Sequence, residues 1–111
     1  MPLMPDNVDT ALDYALDAGR RAALAVWIRD GKVDRGSCGG SVMILDRRSK
    51  LAKAAVARGI AYKEGMVILL PPAGIQSQNA DVWQALYGAF RDSLEAYGFG
   101  PAIKKFWNYI D

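Results

Sequence analysis

The chain has 111 residues, of which 51% are hydrophobic and 23% charged, and its formal net charge is +2. These values are typical of one globular domain that is only mildly basic, and they exclude a disordered protein. The sequence has no histidine and one cysteine, which excludes catalytic triads, Cys/His zinc sites and internal disulfides. We therefore expect no enzyme activity, no cofactor and no bound metal.

The ends and the hydropathy of the chain predict its location and its domain organisation. No apolar run approaches the roughly 20 residues that span a bilayer, and the first residues lack the basic and apolar regions of a signal peptide. We expect a cytoplasmic protein with no membrane partner. Residues 1–5, which include two prolines, are predicted to be a disordered tail, and residues 6–111 a single α+β domain.

The first predicted elements are a helix and a strand that leads into a hairpin. The helix begins near Asn7, where either Asn7 or Asp6 can act as the N-cap, and Gly19 offers a place for it to end. The following segment, Ala22–Arg29, contains Leu, Val, Trp and Ile side chains and is predicted to be a strand. Asp30-Gly31 is typical of the tight turn of a β-hairpin.

The middle of the chain predicts two more strands around a short helix. Ser41–Leu45 is apolar enough to be a buried strand. Ser49 is predicted to cap a helix over Lys50–Arg58, and Gly59 is placed to adopt the left-handed conformation at its end. Met66–Leu70 is predicted to be the next strand, because two prolines follow it and proline cannot continue a ladder.

The last predicted elements are the longest helix and a strand. Asn79 is predicted to cap a helix over Ala80–Tyr97, which Gly98 ends. Ile103–Ile110 is predicted to be the final strand. The resulting order, α-β-β-α-β-α-β, predicts a two-layer sandwich in which helices pack on a four-stranded mixed or antiparallel sheet.

The glycine-rich segment Gly36–Gly40 has the composition of a phosphate-binding loop but not its place in the chain. A phosphate-binding loop follows a strand and opens a helix, whereas this segment precedes a strand. Cys38 lies within it, and no histidine is present to act as a base for its thiol. We expect Cys38 to be a partly buried packing residue.

The best candidate for a binding site is the basic turn before the second helix, with the first turns of that helix. Its cations are Arg47, Arg48, Lys50 and Lys53. The N–H groups at the start of a helix favour an anion, so these side chains could meet phosphates or an acidic protein surface. The alternative is a solvated charged turn in which Asp46 pairs with an arginine.

Two further groups of residues are candidate contacts. Gln76 and Gln78 precede the longest helix but are not needed to cap it, so we predict that they make polar contacts with a partner. Trp83, Trp107 and Tyr109 exceed what the inner faces of their elements can bury, and we predict that they belong to an interface. An aromatic edge strand would also favour pairing with a second copy, which makes a homodimer a candidate assembly.

From Cys38 onward the sequence resembles a group of small proteins, encoded by tailed phages and prophages, that have no established activity. The shared pieces come in the same order in the chain: Cys38-Gly39 before an apolar strand, Arg48-Ser49-Lys50-Leu51 at a helix start, Gly59, Leu69 to Pro72, Gln78-Asn79-x-Asp81, and a final strand that ends in Asp111. The phage proteins typically end in Ser-Arg-Leu/Met-Asp, and this chain lacks that arginine.

The resemblance implies a phage or prophage protein that acts in a bacterial host, but it implies no enzymatic activity. Small non-catalytic phage proteins often bind host machinery, including defence systems such as CRISPR complexes. We therefore expect a non-enzymatic binding protein in the cytoplasm of a bacterial host, of the anti-CRISPR-like, counter-defence kind, which occludes a host protein sterically and electrostatically. The alternatives are a nucleic-acid-binding accessory protein, a sponge for an anionic nucleotide and, last, an enzyme that uses carboxylates alone.

Overall fold

The computed structural model describes residues 7–29, 38–62 and 79–110. These ranges contain three α-helices, one 3-10 turn and two strands: α1 Val8–Arg29, β1 Gly39–Leu45, α2 Lys50–Ala57, α3 Ala80–Ala96, the 3-10 turn Gly100–Ala102, and β2 Ile103–Ile110. None of the helices in these ranges is long and apolar enough to cross a membrane.

The predicted strand Ala22–Arg29 is wrong, because α1 continues through it without a break. Its apolar side chains suggested a strand, but the segment is also rich in alanine, which has the highest helix propensity. The buried small residues Ala11, Ala15, Gly19 and Ala23 recur every four positions. That spacing places them on one face of a single continuous helix.

Gly19 lies inside α1 and does not end it. A Cβ atom at this position would lie 2.8 Å from the main-chain oxygen of Leu86 in α3, closer than such atoms approach. Glycine is therefore required here because the backbones of α1 and α3 come close together, and not because a helix must stop.

The predicted N-caps and left-handed glycines of α2 and α3 are confirmed, although each helix ends one residue before its predicted end. The Ser49 hydroxyl accepts a hydrogen bond from the N–H of Ala52, and the Asn79 side chain accepts one from the N–H of Asp81. Gly59 and Gly98 have φ angles of 75° and 89°. In each case the next residue, Ile60 or Phe99, is buried and donates its N–H back to the helix, as in a Schellman motif.

The predicted four-stranded sheet and its element order are also wrong. In the residues that the structure describes, the sheet has two strands, β1 and β2, which pair antiparallel. The error follows from the first hairpin, since the segment assigned to its first strand belongs to α1. Met66–Leu70, Asp30-Gly31 and the tail 1–5 lie outside the described residues. The α+β character of the fold holds.

The ribbon formed by β1 and β2 has two different faces. Met43 faces Phe106 across the ribbon, and both pack in or against the hydrophobic core. Val42 faces Trp107 on the opposite face, because successive side chains of a strand alternate. Ile44 pairs with Lys105 while Leu45 pairs with Ile103, so the register shifts by one residue at Lys104.

Helix α3 lies at the centre of the packing, between α1 and the ribbon. Its buried residues Val82, Leu86, Phe90 and Leu94 recur every four positions and join a core that also includes Leu12, Met43, Leu45 and Leu51. On its other flank, the Arg91 guanidinium lies 4.6 Å from the centre of the Phe106 ring, at the distance of a cation–π contact.

Arg58 connects the end of α2 to the first turns of α1. Its guanidinium pairs with the carboxylate of Asp13, and a second contact of 3.6 Å joins it to Asp9. The hydrogen bond with Asp13 is the main reason why the pKa of Arg58 is raised above its already high ordinary value. The Arg58 guanidinium therefore stabilises the packing of α2 against α1.

Replacing Gly19 tests the close contact between α1 and α3. We expect Gly19→Ala to lower the free energy of unfolding by about 1–3 kcal/mol, because the added methyl group overpacks the contact with Leu86. Gly88 in α3 is the matched control, since a Cβ atom there would meet nothing within 4 Å. Gly88→Ala should stabilise the protein by up to about 1 kcal/mol through helix propensity. Urea unfolding of both variants measures the difference, and equal effects would contradict the close contact.

Candidate cationic binding site

The basic turn is held in place by Asp46. Its N–H donates to the Ala102 carbonyl at 2.8 Å, which ties the turn to the segment just before β2. Its carboxylate accepts from the N–H of Arg48 at 3.0 Å, and its carbonyl accepts from the N–H and the hydroxyl of Ser49. The turn therefore has a defined backbone geometry, although its side chains are on the surface.

Arg47 and Arg48 line a surface depression of about 390 Å³ together with Asp46, Pro101 and Lys104. The two arginines come from the turn after β1, and Lys104 comes from the start of β2. The register shift explains the third cation, since an extra residue in one strand re-aims its side chain. We call the surface formed by Arg47, Arg48 and Lys104 the cationic depression.

Lys50 and Lys53 lie beside this depression but do not line it. Both are exposed on α2, in the first turns after the Ser49 cap. They extend the positive charge along the helix and leave the depression itself to Arg47, Arg48 and Lys104. The predicted set is thus divided between a depression and an adjoining helix surface.

The cations of this region differ in their partners from four of the five other arginines in the described residues, the fifth, Arg20, having no carboxylate within 4 Å either. Arg21, Arg29, Arg58 and Arg91 each contact a carboxylate within 4 Å. Within residues 7–29, 38–62 and 79–110, no carboxylate lies that close to Arg47, Arg48, Lys50, Lys53, Lys104 or Lys105. The alternative of an Asp46–arginine side-chain pair is therefore not found, because Asp46 accepts from the main chain of Arg48.

The predicted interface aromatics occupy different environments. Trp107 and Tyr109 are 45% and 42% exposed on the outer face of the ribbon. Tyr109 faces Gly40, and its ring lies across that glycine, with the hydroxyl 3.3 Å from where a Cβ atom would be. Trp83 is half-buried and packs against the core from α3. The structure thus brings Trp107 and Tyr109 together on one surface and gives Trp83 a packing role.

Cys38, directly before β1, is exposed, whereas the sequence predicts a partly buried residue. It lies opposite Asn79 in an isolated bridge. The next residue, Gly39, is the one that the packing constrains, because a Cβ atom there would lie 2.4 Å from the Tyr109 carbonyl and 3.0 Å from Ala80. Gln76 and Gln78 lie outside the described residues.

Lys104 and Lys105 are the candidate residues that the sequence analysis missed. They precede the aromatic run of β2, and adjacent lysines in a strand normally point to opposite faces. The signal that could have found them is their position next to an aromatic edge strand, where lysine is common. The proximity of Lys104 to Arg47 and Arg48 depends on the pairing of β1 with β2 and is not encoded locally.

Comparisons with known proteins identify no relative of this chain. No protein-family model, no curated protein and no solved structure matches the chain. The functional argument therefore depends on the residues of the site itself.

Removing the Ser49 hydroxyl tests the coupling between the turn and α2. We expect Ser49→Ala to lower the free energy of unfolding by about 1 kcal/mol, because the N–H of Ala52 loses its cap and the Asp46 carbonyl loses a donor. Ser93→Ala, inside α3, should be neutral or slightly stabilising. Thermal denaturation of both variants measures this. Equal melting temperatures would show that the cap does not hold the turn.

Proposed function

We propose that this protein is a non-enzymatic binding protein that recognises an anionic surface of a macromolecular partner through the cationic depression and the adjoining start of α2. The observation that supports this most directly is that three cations, Arg47, Arg48 and Lys104, line one depression and, among the described residues, have no carboxylate within 4 Å. The lack of histidine supports a binding role over a catalytic one.

The electrostatics of the helix start strengthen the proposal. The N-terminal end of a helix carries a partial positive charge, so cations placed there are unfavourable to the helix itself. Arg47, Arg48 and Lys50 occupy such positions around Ser49. An arrangement that opposes local stability is understandable if an anion from a partner compensates for it.

On this proposal the protein acts by covering the anionic surface of its partner and so blocking access to it. Charged contacts of this kind steer association and select partners more than they add raw affinity. The resemblance to phage and prophage proteins supports a partner in a bacterial host, and a counter-defence inhibitor is one role that such binding would serve. Both an acidic protein surface and a nucleic acid carry the required anions.

Charge reversal tests the proposed function. The chain has two Arg-Arg pairs in the described ranges, Arg47-Arg48 in the turn and Arg20-Arg21 in α1, and all these residues are exposed. We expect Arg47→Glu/Arg48→Glu to weaken binding to heparin and to polyglutamate by about tenfold or more. Arg20→Glu/Arg21→Glu produces the same net charge and should retain most of the affinity.

The measurements are the salt concentration at which each variant elutes from heparin and the dissociation constant for labelled polyglutamate. Circular dichroism confirms that both variants are folded. If the two double variants lose affinity equally, net charge alone governs binding and the proposed site is wrong.

A further inference from the structure

The outer face of the ribbon carries a row of exposed side chains that neither the core nor the cationic depression uses. Lys105, Trp107 and Tyr109 alternate along β2, so their side chains lie on the same face. Trp107 and Tyr109 are separated by about 7 Å along the strand, and each is more than two-fifths exposed. Lys105 is exposed beside them.

This row begins beside the residue that lines the cationic depression. Lys104 lines the depression and Lys105 begins the aromatic row. The register shift at Lys104 interrupts the regular alternation of side chains, so these adjacent lysines need not point to opposite faces. A ligand that follows β2 would pass from flat aromatic surfaces to a group of unpaired cations. Such a ligand needs planar groups and negative charges at regular spacing.

We propose that single-stranded nucleic acid binds along β2, with bases stacked on Trp107 and Tyr109 and phosphates held by Lys105 and the cationic depression. This inference rests on the proposed function and names its partner class. Proteins that bind single strands combine a positively charged track with aromatic side chains on which bases stack, since every base has a π-face. Sheets with exposed aromatics serve as such platforms in RNA-binding domains.

The geometry favours stacking over packing against a protein. Tyr109 lies across Gly40, with Trp83 also close to that glycine, and remains 42% exposed. Aromatic hot spots of protein interfaces fill pockets and are surrounded by contacts that exclude water, whereas charged lysines adjoin these rings. A base can cover an aromatic ring while its phosphate reaches a neighbouring lysine.

A second copy of the chain fits this face less well. Lysines on an edge strand oppose pairing with another strand, and β2 carries Lys104 and Lys105 side by side. Charge complementarity therefore points to a polyanion.

Binding of fluorescein-labelled dT12 and U12, followed by anisotropy over a range of salt concentrations, tests the proposal. We expect Trp107→Ala to weaken binding about tenfold and Trp107→Phe, which keeps an aromatic ring, to stay near the wild-type affinity. Tyr62→Ala is the matched control, because Tyr62 is 60% exposed but lies after α2 and outside the ribbon. It should leave affinity unchanged.

Two further readouts separate stacking from charge. Quenching of tryptophan fluorescence by unlabelled dT12 should decrease strongly in Trp107→Phe even though binding persists. The slope of log affinity against log salt should become shallower by about 0.7 in Lys105→Gln, the value for one phosphate contact on a single strand.

The outcomes distinguish this inference from the proposed function. Equal affinity of wild type and Trp107→Ala for the oligonucleotides, or equally good competition by a duplex, would overturn stacking on the ribbon. Binding of polyglutamate but not of dT12 or U12 at about 100 µM, the weak end of non-specific affinities, would also overturn it and would indicate an acidic protein partner. In that case the proposed function stands as long as Arg47→Glu/Arg48→Glu weakens polyglutamate binding by about tenfold or more while Arg20→Glu/Arg21→Glu does not.

Discussion

The structure depends on the close contact between α1 and α3. Ala15, Gly19 and Ala23 present almost no side chain to α3, so the two backbones approach until a single added methyl group at position 19 would collide with Leu86. Close packing of this kind maximises dispersion contacts over the length of a helix. With one flank of α3 fixed in this way, its other flank is available to hold the ribbon, and the ribbon in turn places β2 beside the basic turn.

In the basic turn, hydrogen bonds fix the backbone at a place where the cationic side chains are electrostatically unfavourable to the helix. The cations around Ser49 oppose the positive end of α2, yet the turn is defined by hydrogen bonds from the Asp46 N–H to Ala102 and from the Ser49 hydroxyl to the Asp46 carbonyl. These contacts involve main-chain atoms and a hydroxyl, not the charged side chains. The guanidinium and ammonium groups therefore remain available to a partner while the backbone beneath them is fixed.

The sequence predicts those parts of the fold that follow from local rules. The caps at Ser49 and Asn79, and the left-handed glycines Gly59 and Gly98, each depend on a few neighbouring atoms and were predicted correctly. The strand prediction for Ala22–Arg29 is wrong because apolar composition alone does not distinguish a strand from a helix. The four-residue recurrence of small residues through Gly19 is the pattern that indicates the helix. Lys104 could not be predicted as a site residue, since its side chain reaches the depression only through the register shift between β1 and β2.

The distribution of charge matters more here than its sum. A net charge of +2 describes a nearly neutral protein, but the carboxylates of α1 are already used by arginines: Asp9 and Asp13 by Arg58, and Asp17 by Arg21. Around the depression, Asp46 is the one carboxylate among the described lining residues, and it lies more than 4 Å from the charged groups of Arg47, Arg48 and Lys104. Like charges within a Debye length reinforce one another, so the region around Arg47, Arg48 and Lys104 carries more positive charge than the net charge of the chain suggests. The mild pI therefore does not argue against the proposed polyanionic ligand, because local charge and not net charge governs such contacts.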